Sequence, residues 1–518
     1  LNRFIAMKKY IVAIFILGFV QICCAEDIIV NGSTTISQLC SMTGSTSPIA
    51  DLNGRTLRFL DGASITGPGT IINGSIDANF YQIIFDPNLT LANLKPSRHY
   101  FSACWFGASS TNIDNYESLQ RAINVCINQP IATPLYIPSG NYRFSRPLSI
   151  SIELGQNEFS AVNFHMFGNS QFWSGLTQLV YTGVGNTYAL SIQDGLGVEV
   201  NNLAIIGQYE PPGNSDTYFT TTTTNYTDQG DQCTDEYSGI VIDPEYSARG
   251  SSGVNIHDMK ISNFAVDISV SPGKSEHSDM LTFENIQVAD SKWGIRAGFS
   301  GSKGNIVQGL YSWGRMHTLI CIGNSGRKEA GCWTFDGANI AGNCIRIFDI
   351  TDAGWYPIKI KDFYSESIGS VGTIISKPPE RANESFTGYT EPPIYIEGCT
   401  FDFFIPALNQ TQISLRTSID RVRFESCQFR YYANRFPGKT IFMVSDDPSL
   451  TLDNPLVYPG SVNQNAAFNN CSFEGYLYFN NINITSTPGT IPPNCTIPVS
   501  PYNPPFTCSQ NPTIFLMN

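Results

Sequence analysis

Apolar and polar residues alternate in short bursts along this chain, and a single turn residue interrupts each burst. The recurring unit reads apolar, polar, turn residue, apolar, polar, apolar. Copies are Val200-Asn201-Asn202-Leu203-Ala204-Ile205, Ile256-His257-Asp258-Met259-Lys260-Ile261 and Phe283-Glu284-Asn285-Ile286-Gln287-Val288. Further copies are Phe335-Asp336-Gly337-Ala338-Asn339-Ile340, Ile360-Lys361-Asp362-Phe363-Tyr364-Ser365 and Ile396-Glu397-Gly398-Cys399-Thr400-Phe401. Phe424-Glu425-Ser426-Cys427-Gln428-Phe429 and Phe468-Asn469-Asn470-Cys471-Ser472-Phe473 follow, with a weaker copy at Val307-Gln308-Gly309-Leu310-Tyr311-Ser312. From Asp258 through Asn285, Gly309 and Gly337 to Asp362, the steps are 27, 24, 28 and 25 residues. Alternation with period two marks strands, and Asn, Asp or Gly marks bends. One coil of this kind cannot bury its own apolar face, so coils must stack into a solenoid. The pattern predicts an all-β parallel β-helix.

The same alternation sorts residues by face. Those just before the turn, and second after it, are expected to point to solvent. One outward stripe then reads His257, Glu284, Gln308, Asp336, Lys361, Glu397, Glu425. Its neighbour reads Lys260, Gln287, Tyr311, Asn339, Tyr364, Thr400, Gln428. Carboxylates and amides beside aromatic rings suit sugar hydroxyls and sugar faces. Glu284 and Asp336 fall two coils apart, about 9.6 Å at about 4.8 Å per strand. That is near the carboxylate spacing of an inverting glycosidase. These two are the expected catalytic pair, with His257, Tyr311, Tyr364, Lys361, Trp313 and Trp333 as substrate-binding residues. A different stripe, Asp267, Arg296 and Arg346, is expected to face outward from a second strand and offers the alternative chemistry of a lyase.

Along the chain, residues 101–480 read as the solenoid, preceded by a β-rich segment at 26–100 and followed by a Pro-rich tail at 481–518. One helix is expected at 114–127, with Asp114 and Glu117 as a capping box and Leu119, Ala122, Ile123 and Cys126 on its apolar face. A helix there would close the open end of the first coil. Residues 1–25 read as a secretory signal peptide, with Met7-Lys8-Lys9, an apolar run and Ala25. The apolar run is short for a membrane span. The expected location is therefore secreted or extracellular.

Charged residues make up only 14% of the chain, and the formal charge of −13 argues against nucleic acid as a partner. Of the 14 Cys, Cys399, Cys427 and Cys471 share one inward position and are expected to stack as small hydrophobes. Cys495 and Cys508 are the expected disulfide. No spacing suggests zinc. No cofactor is expected, although the acidic stretch from Asp228 to Glu236 offers carboxylates for Ca²⁺.

Three blocks carry a resemblance. They are Ala103-Cys104-Trp105-Phe106-Gly107-Ala108, Ser118-Leu119-Gln120-Arg121-Ala122-Ile123, and Leu135-Tyr136-Ile137-Pro138-Ser139-Gly140-Asn141-Tyr142-Arg143-Phe144. Together they resemble the opening segment of pectate-lyase-like proteins, which include polysaccharide lyases, polygalacturonase-related hydrolases and phage tailspikes. The resemblance implies a right-handed β-helix. The paired-Asp turn usual before the helix is replaced here by Ser109-Ser110-Thr111-Asn112-Ile113-Asp114. The Asn-Thr-Asp, paired-Asp and Gly-His-Gly set of polygalacturonases is absent, so the resemblance carries no catalytic residue to this chain. The expected function is cleavage of a polysaccharide by hydrolysis or elimination. The alternatives are a noncatalytic polysaccharide-binding solenoid and, third, a tailspike-like protein.

Overall fold

The computed structural model describes residues 26–151, 161–170, 176–185, 187–211, 237–244, 250–272, 278–297, 304–322, 332–350, 357–374, 394–403, 413–415, 422–431, 442–445, 465–473, 477–479 and 483–485. The signal-peptide reading, the acidic stretch 228–236 and the pair Cys495/Cys508 lie outside these residues. The chain divides into two compact units, Leu1–Tyr142 with Phe164–Phe167, and Arg143–Asn163 with Gly168–Asn518.

The first unit contains a solenoid of its own, with a shorter repeat. Strands Ile28–Val30, Ile49–Asp51, Thr56–Phe59, Gly69–Asp77 and Leu89–Pro96 form one parallel sheet. Ile71 pairs with Ala50 on one side and Leu91 on the other. Asn53, Asn73 and Asn93 each turn the chain with φ between +50° and +59°. Asn accepts this left-handed conformation better than most residues, because its short polar side chain bonds locally. The Asn93 amide donates to Asn73 Oδ1 at 2.7 Å, which links two rungs. Sequence reading found only short strand-like pieces in this stretch.

Two α-helices lie among the described residues of this unit. Ile36–Thr43 starts in a capping box, where the Gln38 N–H donates to Thr35 Oγ1 and the Thr35 N–H donates to Gln38 Oε1. Tyr116–Ile127 buries Leu119, Ala122, Ile123 and Cys126. Its expected capping box is corrected. Asn115 precedes the helix, and Asp114 Oδ1 accepts from the N–H of Tyr116 at 2.9 Å. The pairing of Asp114 with Glu117 is one residue out of phase for a box.

The second unit is a parallel β-helix of three sheets. In the first sheet the inward line runs Val200, Ile256, Phe283, Val307, Phe335, Ile360, Ile396, Phe424, each paired with the next. In the second it runs Ile205, Ile261, Val288, Ser312, Ile340, Ser365, Phe401, Phe429. In the third it runs Leu148, Leu190, Ile240, Ile268, Ile295, Ile320, Phe348. All of these side chains are buried. At about 25 cal/mol per Å² of apolar surface removed from water, such stacked lines are the main stabilising term of the unit.

One residue makes the corner between the first and second sheets. Asn202, Asp258, Asn285, Gly309, Gly337, Asp362, Gly398, Ser426 and Asn470 all sit there, with φ from +52° to +70°. A left-handed residue with a Cβ costs about 1–2 kcal/mol, less for Asn and Asp and nothing for Gly. That cost explains the composition of the column. At Gly309 a Cβ would lie 2.9 Å from Asn285 Oδ1, the movable end of an exposed side chain, so the positive φ is the main reason for glycine. Directly after the corner, Leu203, Met259, Ile286, Leu310, Ala338, Phe363, Cys399, Cys427 and Cys471 form a buried column.

Cys399, Cys427 and Cys471 are buried and free of disulfides. Their thiols donate to the backbone carbonyls of Glu397, Ile396 and Phe424, at 3.3, 3.4 and 3.5 Å. The adjacent Cys399 thiol, with burial, pushes Cys427 up to about 12. Thiols held protonated in this way behave as small hydrophobes.

Candidate functional site

The strand register assembles the outward stripes residue by residue. Asn201 pairs with His257, His257 with Glu284, Glu284 with Gln308, Gln308 with Asp336 and Asp336 with Lys361. Lys361 then pairs with Glu397, and Glu397 with Glu425. The neighbouring stripe pairs Lys260, Gln287, Tyr311, Asn339, Tyr364, Thr400 and Gln428 in that order. Glu284 and Asp336 therefore lie two rungs apart in one column, with Gln308 in the rung between them. Tyr311 stands in that same middle rung, one column across. Glu284 is exposed and Asp336 half-buried.

The ends of the column are held by their own contacts. His257 lies between two carboxylates, with Nε2 3.0 Å from Glu199 Oε1 and Nδ1 2.8 Å from Asp258 Oδ2. Burial alone would lower this imidazole, but hydrogen bonds to Asp258 and Glu199 outweigh it and raise its proton affinity above the ordinary range. Both ring nitrogens are engaged, so His257 is a structural link rather than a hydroxyl ligand in this conformation. At the other end Lys361 Nζ lies 3.9 Å from Glu397 Oε2, with both groups exposed. An exposed pair at that distance contributes little stability.

Aromatic residues flank the column. Tyr364 is 42% exposed. The Arg430 guanidinium sits 6.0 Å from its ring centroid and forks onto Asp402 at 2.6 and 3.0 Å. Trp313 is half-buried, and the Lys260 ammonium lies 4.8 Å from its ring centroid. Trp333 is corrected as a sugar platform. It is fully buried and stacks between Phe283 and Phe335, with centroids 6.2 and 5.7 Å away.

The stripe Asp267, Arg296, Arg346 is also corrected. Asp267 is completely buried and Arg296 nearly so. Arg296 pairs with Ser269 and Cys321, whereas Arg346 pairs with Thr318, so the three residues do not share a column. Ser291 donates to Asp267 Oδ1 at 2.6 Å, and Asp267 Oδ2 has no partner. Burial pushes this carboxyl well above the usual carboxylate range. Val266 and Ile268 are both buried. A strand covered on both faces gives alternation no outward side to report.

Sequence reasoning missed a cluster on this strand set. Lys292 and Arg296 lie 4.5 and 5.3 Å from the centroid of the Trp293 ring. Burial, with the charges of Arg346 and Lys292, pushes His317 down to about 3. Asp349 is raised by burial, against the pull of Arg346. The signal was present as Ser291-Lys292-Trp293 and Arg315-Met316-His317, polar residues inside otherwise apolar strands. Among the described residues no group of three or more His, Cys, Asp or Glu can hold a metal ion. Among the same residues no helix is long and apolar enough to cross a membrane.

No protein-family model matches the chain, and no curated protein matches it. Solved structures do. The Agl-KA catalytic domain is 13% identical with a TM-score of 0.48, over 76% of this chain and 66% of that one. Endo-xylogalacturonan hydrolase from Aspergillus tubingensis is 12% identical with a TM-score of 0.36, over 78% and 97%. The tailspike protein of Acinetobacter baumannii phage AM24 is 13% identical with a TM-score of 0.35, over 75% and 53%. The chain thus spans 66% of the Agl-KA structure and 53% of the tailspike. The parallel β-helix itself is read from this chain's own strand pairing.

Proposed function

We propose that this protein binds a polysaccharide across the two outward stripes and hydrolyses it, with Glu284 and Asp336 as the acid and base. The observation that carries the reading is the register Glu284–Gln308–Asp336, two carboxylates in one column with an amide between them. Two rungs amount to about 9.6 Å at about 4.8 Å each, a spacing that admits a water on the far side of the scissile bond. Direct displacement by that water inverts the anomeric centre. Tyr311 in the middle rung and Tyr364 two rungs further on supply ring faces, while Gln287, Asn339 and Gln428 supply amides for hydroxyls.

A second reading, a noncatalytic polysaccharide-binding solenoid, draws support from the same face. Lys361 meets Glu397, and His257 meets Glu199 and Asp258. Outward groups that satisfy one another are what a solvated sheet needs in any case. We further propose that the protein acts outside the cell, on the strength of the basic, apolar and small-residue pattern at 7–25.

The test is a panel of neutral and acidic polysaccharides incubated with the purified protein, followed by reducing-end and unsaturated-product assays. New reducing ends without unsaturated products are expected. Unsaturated products would replace hydrolysis by elimination. Retention of a polysaccharide without any cleavage would favour the noncatalytic reading.

A further inference from the structure

We propose that Glu199, His257 and Asp258 form a proton-operated clasp at the head of the outward column, closed while His257 is charged and opened when it loses its proton. The clasp ties neighbouring rungs. Glu199 and Asn201 lie in one rung, and His257 and Asp258 in the next, with Asn201 directly paired to His257. In the charged state both ring nitrogens donate, Nε2 to Glu199 Oε1 at 3.0 Å and Nδ1 to Asp258 Oδ2 at 2.8 Å. A third rung is attached through Asn285, whose amide donates to Asp258 Oδ1 at 3.2 Å.

The neutral state has an alternative partner in place. Asn201 Nδ2 lies 2.9 Å from the same Nε2 and 2.7 Å from Glu199 Oε1. Once Nε2 gives up its proton it becomes an acceptor and takes the Asn201 amide hydrogen, while Nδ1–H stays with Asp258. The charge-assisted bond to Glu199 is then lost, and a bond between charged groups is the stronger kind. The proton itself passes to bulk water, so no other reactant is needed.

The surroundings favour the charged state. Glu199 faces His257 from the rung before, Asp258 from its own corner, and Glu284 is paired to it in the rung after. Lys260, the cation on the same strand, lies over Trp313, 4.8 Å from its ring centroid, where burial lowers its proton affinity against the pull of Asp290. Opening the clasp removes the His257 charge from beside Glu199, Asp258 and Glu284. The inter-rung tie at this end of the column weakens.

The test needs no substrate, so it stands or falls separately from the polysaccharide reading. Histidine-ring NMR of the full chain, assigned with His257→Gln, gives the midpoint. It is expected above the ordinary value of about 6.5 and should drop in Glu199→Gln. Hydrogen exchange of peptides from 199–206 and 254–262, corrected for intrinsic rates, should quicken through the same midpoint in the wild type. His257→Gln should lose that pH dependence. A His257 midpoint at or below the ordinary value would overturn the clasp. So would unchanged pH dependence in the variant. Should His257→Gln fail to fold, Glu199→Gln carries the same comparison, since it removes only the inter-rung arm.

Discussion

Single side chains in this protein do very different work according to which side of a strand they occupy. Phe363 fills the buried column behind the corner residue Asp362 and meets Phe348 from the third sheet, with ring centroids 5.6 Å apart. Phe363→Ala should cost about 3–5 kcal/mol through cavity formation, read by denaturant unfolding. A cost below about 1 kcal/mol would mean that the column is not packed as described. Asp267 is the opposite case, an acid in the core with one oxygen unpartnered. Its folded-state proton affinity lies above the unfolded one, so its contribution to stability is full below about pH 4 and declines as pH rises toward the raised value. Asp267→Asn removes that decline. The drop in melting temperature between pH 5 and pH 8 should be smaller in the variant than in the wild type, and an equal drop would place the pH dependence elsewhere. Inward Phe363 was legible from period-two alternation around a turn residue. Asp267 was not, because its strand is covered on both sides and alternation there carries no information.

At the scale of the element, the corner ladder decides where the chain bends from the first sheet to the second. Eight of its nine positions are Asn, Asp or Gly, and Ser426 is the exception, at φ +54°. Ser has neither the missing Cβ of Gly nor the local bonding of Asn in this conformation. Ser426→Gly is therefore expected to stabilise the protein by about 1 kcal/mol, as an upward shift in melting temperature. No gain would show that the bond from Asn470 Nδ2 to Ser426 Oγ, at 3.4 Å, matters more than the backbone conformation. This ladder was visible in the sequence, because nine copies recur with apolar residues on both sides. The Asn53, Asn73, Asn93 ladder obeys the same physics but passed unnoticed. It has three copies, its repeat is 20 residues, and its flanking residues alternate less cleanly. The capping box at Asp114 was misplaced for an ordinary reason, that helix starts are read to within a residue or two.

Across the whole molecule, the sequence was informative about architecture and about which polar residues share a column, and less so about which of them remain available. His257 and Trp333 looked like ligand contacts because their positions are polar-side or aromatic. The structure commits one to Glu199 and Asp258 and the other to the core. The contacts of His257 with Glu199, 58 residues away, and of Trp333 with Phe283 come from other rungs, and no local pattern reports them. For the chain's start, N-terminal sequencing of protein recovered from the medium should begin close to Glu26. Recovery beginning at Met7 would contradict export by cleavage. The central claim concerns Glu284 and Asp336, and one measurement tests it most directly. On a polysaccharide that the wild type cleaves, kcat should be determined for Glu284→Gln and for Asp336→Asn, with folding checked by circular dichroism. Each variant should lose at least about 10²-fold in kcat, the scale of general acid–base catalysis. Wild-type rates in both folded variants would contradict the account and remove the catalytic site from this column.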